Sequence, residues 1–104
     1  MGVEYRGVMI VGYTHSQVED MVEAIDPDAD LMDFVEEADL DCAGPYYDAC
    51  RTDCIFGAVV AKSSTYSTRE INLDELNARI THAMDVLHTE YGVRPKLYIM
   101  AEGF

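Results

Sequence analysis

Neither lysine nor arginine occurs between Glu19 and Asp41, although eleven carboxylates fall within those twenty-three residues. Much of the charge imbalance of the 104-residue chain, -13 at neutral pH, therefore sits in one stretch. So concentrated a negative field repels phosphate backbones and anionic membrane surfaces, which argues against direct binding of nucleic acid or membrane. It attracts cations and basic protein surfaces instead. Long apolar runs are also missing. The longest, Ile55 to Ala61, falls far short of the roughly 20 residues that a membrane-spanning helix needs. Met1-Gly2-Val3-Glu4 offers no basic region followed by an apolar stretch, and Arg6 stands where a myristoylation signal wants Ser or Thr. The expected location is cytoplasmic.

Cysteine is scarce and irregularly spaced. Cys42, Cys50 and Cys54 match no zinc-ligand pattern, and in a reducing compartment they read as thiols, with Cys54 buried because it opens an apolar run. None of His15, His82 and His88 is near them in sequence, and acidic surroundings raise a thiol pKa, which disfavours a cysteine nucleophile. The chain has no phosphate-cradling glycine loop, no nucleophile elbow and no metalloprotease helix motif. His82 with Asp85, and Glu75 with Arg79, have the spacing of surface pairs on a helix. A small enzyme of unspecified type remains an alternative, but no catalytic residue is assigned and no cofactor is expected.

Against these absences stands a hydrophobic content of 49%, enough to fold one domain of this length despite the charge. Glu4 to Tyr13 reads as a strand built on Val8, Met9, Ile10 and Val11. A helix follows, capped by Thr14 with Gln17 or by Ser16 with Glu19, with Val18, Met21, Val22 and Ile25 on one side and Pro27 as its stop. Leu31, Phe34, Val35 and Ala38 suggest a second, shorter helix entered through Asp28 or Asp30. Cys54 to Lys62 is apolar on both faces, as a central strand should be.

Asn72 with Glu75 caps a long helix whose stripe runs from Leu73 through Leu76, Ile80, Ala83, Met84 and Leu87 to Tyr91. Gly92 supplies a left-handed stop, and Lys96 to Met100 is the last strand. Strands alternating with amphipathic helices predict an α/β fold: a small single-domain sandwich of a three- to four-stranded, at least partly parallel sheet with two to three helices. Met84, Leu87, Val22 and Val59 are expected to share its core. A sheet of three strands leaves edges to protect, so the pattern calls for a fourth short strand between Tyr46 and Thr52 or for a homodimer paired through a sheet edge.

Two constellations point to function. Asp26, Asp28, Asp30 and Glu37 reproduce the first, third, fifth and twelfth ligand positions of a calcium-binding EF-hand loop, but Leu31 replaces the glycine of the sharp turn and Asp33 the apolar eighth residue. A calcium-binding module is therefore the alternative, with no metal ligand assigned. The broader reading takes Glu19, Asp20, Glu23, Asp33, Glu36, Glu37 and Asp41 as a partner-binding surface on two adjacent helices. Their carboxylates would imitate the phosphate rows of a duplex towards a basic, nucleic-acid-binding protein. Tyr46 and Tyr47, on a loop beside that charge, have the character of interface anchors.

Gly44-Pro45-Tyr46-Tyr47-Asp48-Ala49, Ile55-Phe56-Gly57-Ala58-Val59-Val60-Ala61, Glu70-Ile71-Asn72-Leu73-Asp74-Glu75-Leu76 and Arg94-Pro95-Lys96-Leu97-Tyr98-Ile99 together resemble small uncharacterised acidic proteins of tailed bacteriophages. The resemblance carries over no site residue. It implies a setting in which small acidic proteins bind and block host enzymes.

Overall fold

The computed structural model describes residues 5–44, 53–64 and 70–103. In chain order these form β1 (Tyr5–Thr14), α1 (His15–Ile25), α2 (Leu31–Glu37), β2 (Asp41–Ala43), β3 (Ile55–Ser64), α3 (Leu73–Tyr91) and β4 (Lys96–Gly103). The four strands make one sheet in the order β2-β3-β1-β4.

Every neighbouring pair in that sheet is antiparallel, which corrects the expectation of an at least partly parallel sheet. The helical crossovers do return the chain in the direction of the strand it left. Both β1 and β2 run opposite to β3, and both β3 and β4 run opposite to β1. In each case, however, a third strand lies between the two parallel strands, the split βαβ arrangement. The fourth strand is Asp41–Ala43; the stretch from Tyr46 to Thr52, which the sequence offers for a fourth strand, lies outside the described residues.

Local chemistry sets the helix ends. At α1 the Thr14 hydroxyl accepts from the Gln17 amide at 3.3 Å while Gln17 Oε1 accepts from the Thr14 amide at 3.0 Å, closing a capping box. Asp30 caps α2, its Oδ1 accepting from the Met32 amide at 2.9 Å. At α3 the Asn72 side chain accepts from the Glu75 amide at 3.1 Å, and Gly92 takes the left-handed φ of 71° that ends the helix. The end of α2 is less ordinary. Leu40 N–H donates to Val35 O and Asp39 N–H to Glu36 O, the two bonds of a Schellman motif, with Asp39 at φ 55° in the position glycine usually fills.

Both α1 and α3 pack on the same side of the sheet. Val18 and Val22 from α1 meet Ala83 and Leu87 from α3 over Val11 and Tyr13 of β1 and Phe56 and Val60 of β3, with Cys54 buried among them. On the opposite side Val8, Ile10, Ala43 and Ile55 form a second buried cluster, against which Val59, Tyr98 and Met100 pack. Val59 is therefore not in the core with Val22, Met84 and Leu87. It pairs with Ile10, and the alternation of the pleat turns both away from the helices. A register shift between Met9 and Ile10 then leaves Val60 without a paired residue.

The two central strands approach closely at one pair. Gly12 lies opposite Gly57, and a methyl group on either would overlap the partner strand's backbone: the Phe56 carbonyl from Gly12, the Val11 carbonyl from Gly57. Only glycine fits there.

Candidate functional site

The expected partner-binding carboxylates divide between a coherent set and an exception. Glu19, Asp20 and Glu23 are exposed on α1, and Asp33, Glu36 and Glu37 are exposed on α2. The two helices pack against one another and bury Val18, Val22 and Val35 in the same core. Among the described residues only Glu19 of this set has an ion-pair contact, its Oε1 lying 3.0 Å from His15 Nδ1. Neither α1 nor α2 has a basic residue in its last turn. Glu36 and Glu37 thus occupy the end of α2 where the helix dipole disfavours negative charge.

Asp41 does something else. Its Oδ2 accepts from the Val59 amide at 2.9 Å. The short strand β2 pairs only as far as Gly57 of β3, so the Asp41 side chain takes over from a backbone partner beyond the strand's end. This bond depends on cross-strand register, and no spacing along the chain signals it. Tyr46 and Tyr47 lie outside the described residues.

The calcium-like segment is not a loop. Asp26 is the C-cap of α1, its Oδ1 accepting from the Asp28 amide at 3.0 Å; Asp30 caps α2; and Glu37 is the last residue of that helix. Leu31, at the position where an EF-hand turns sharply on glycine, instead begins α2. Among the described residues no three Asp, Glu, His or Cys side chains are placed to hold a metal ion, and no helix is long and apolar enough to cross a membrane. The pair Glu75 and Arg79 forms an exposed ion pair of 2.9 Å on α3.

Sequence reasoning missed a groove. A cavity of about 790 Å³ opens between α2 and α3, reaching the backbone of β3 where Gly57 and Ala58 carry little or no side chain. A second, of about 590 Å³, opens between α1 and the end of α3 and shares Ile25, Glu90 and Tyr91 with the first. Tyr91 is the hub of this region. Its ring stands edge-on to Tyr13 at 6.0 Å and to Phe34 at 5.9 Å, joining α3 to β1 and α2. Burial, then the nearby Glu90 charge, push the Tyr91 hydroxyl pKa up. Tyr13, fully buried and donating to the Val93 carbonyl at 2.7 Å, is pushed up to about 12, first by burial and then by Tyr91. The one sequence signal for the groove was Ile25, an apolar residue closing the α1 stripe that proves 70% exposed.

Comparison of the chain with protein-family models, curated proteins and solved structures gives no match.

Proposed function

We propose that the chain is a non-catalytic, acidic protein-binding module that presents the carboxylates of α1 and α2 to a basic surface on a nucleic-acid-binding protein and competes there with nucleic acid. The observation that supports this most is where the charge stands. Glu36 and Glu37 crowd the C-terminal turn of α2, and among the described residues no cation pairs with them or with the exposed Asp20 and Glu23. Charges arranged for stability would sit at helix N-termini or in pairs. A basic partner would relieve this repulsion on binding, and electrostatic steering would speed the encounter. The resemblance to small acidic phage proteins fits an inhibitor of this kind.

Immobilised protein should retain nucleic-acid-binding proteins from a lysate of the source cell at low salt, release them as salt rises, and release them to duplex DNA added as competitor. A variant carrying Glu19→Lys, Glu23→Lys, Glu36→Lys and Glu37→Lys should retain none of them. Retention of the same proteins by that variant would rule out α1 and α2 as the binding surface.

A further inference from the structure

We propose that the groove between α2 and α3 is the docking site for a basic amphipathic helix of the partner, a refinement that rests on the basic-partner reading above. The floor is apolar: Phe34 from α2, Ala58 from β3, and Leu87 and Tyr91 from α3. At its margins stand Ile25, 70% exposed, and Val86, 51% exposed, two of the several large apolar side chains left in water among the described residues. Carboxylates surround this floor on both sides, Glu37 and Asp39 beyond α2 and Glu90 on α3, with Asp20 beside the adjoining cavity; among the described residues His82 is the lining's only basic-type side chain, and no lysine or arginine contributes to either cavity. An apolar strip between acidic rims is complementary to a helix with one apolar face flanked by lysine or arginine.

The placement of charge favours the same occupant. The two cavities share Ile25, Glu90 and Tyr91 in their linings, so acidic side chains flank both. Asp39, on the rim, holds a left-handed backbone at φ 55°, which aspartate adopts more readily than most residues, and its charge lies against the C-terminal end of α2. An aspartate at the C-terminal end of a helix, in a field that opposes its charge, fits a role in contacting a cation.

The test uses two synthetic peptides of about 18 residues, five helical turns, with the same leucine and lysine composition. In one the leucines fall on a single helical face; in the other they are scrambled. Binding to the full chain is read by fluorescence anisotropy at low and moderate salt. The amphipathic peptide is expected to bind at least about tenfold more tightly than the scrambled one, the scale of one buried apolar side chain. Val86→Asp, at an exposed site and adding a negative charge, should abolish that preference while leaving or raising affinity for the scrambled peptide. Ile25→Asp should act in the same direction, and a melting curve for each variant confirms that it is folded. Equal, salt-sensitive binding of both peptides to the unaltered protein would overturn the groove while sparing the acidic surface. Failure of both peptides to bind would overturn the two together.

Discussion

Between β1 and β2 the chain crosses the sheet in two short helices, and residues 15–40 carry ten carboxylates and no lysine or arginine. Between β3 and β4 it crosses in one long helix, and residues 65–95 carry five carboxylates with three arginines. The second crossover is charged nearer to what a helix needs for its own stability, Glu90 in its last turn apart. Asp74 and Glu75 stand in the first turn of α3, His88 in the last, and Glu75 pairs with Arg79. The first departs from this at the C-terminal end of α2 and in its lack of any lysine or arginine. Both crossovers pack on one side of the same sheet and share one core. Beyond the capping roles of Asp26 and Asp30, we propose binding as the use of the first crossover's acidity.

The comparison can be broken most severely where the halves meet. Gly57→Ala or Gly12→Ala should destabilise by roughly 3 kcal/mol or more, because the clash is with backbone and neither central strand can withdraw. Chemical denaturation would show it, and a midpoint unchanged from the parent would mean that the strands are not so close. Next in size, Leu87→Ala in the shared core should cost about 2 to 5 kcal/mol. Leu73→Ala, at the start of the same stripe but 68% exposed, should lie within about 0.5 kcal/mol of the parent.

A smaller effect comes from Tyr13, whose hydroxyl ties β1 to the end of the second crossover. Its folded pKa of about 12 exceeds the ordinary value of 10, so the unfolded chain loses this proton first as pH rises. Its contribution is complete below pH 10 and is lost as pH climbs towards about 12. Tyr13→Phe should cost about 1 kcal/mol at neutral pH through the lost hydrogen bond and should make the alkaline fall in stability shallower, as denaturation at stepped pH would show. Smallest of all, Asp39→Gly should raise stability by up to about 1 kcal/mol, since it removes both the left-handed strain and a charge from the end of α2.

What could be read from the chain was what nearby residues decide. Thr14 with Gln17, Asn72 with Glu75, and Gly92 announce helix ends within a few positions, and the two-sided apolar run after Cys54 announces a central strand. Strand direction was misread because alternation of strands and helices fixes only that β1 and β2 run the same way. Which strand is inserted between them is a long-range choice. The three residues of β2 are too few to show any alternation, and the side taken by Val59 follows from its pairing with Ile10. For the same reason composition could identify the acidic surface but not the groove, which exists only because α2 and α3 stand apart over Gly57 and Ala58. Nor could it show that Asp41 bonds to Val59.

The central proposal, that Glu19, Glu23, Glu36 and Glu37 serve binding rather than folding, is tested most directly by thermal melts of the parent and of the variant with Glu19→Lys, Glu23→Lys, Glu36→Lys and Glu37→Lys, each at low and high salt. The parent should gain stability as salt screens its self-repulsion, and the variant should melt at the same temperature or higher with a smaller gain from salt. A variant that is unfolded, or that melts well below the parent at both salt concentrations, would show that these carboxylates are part of what holds the fold together.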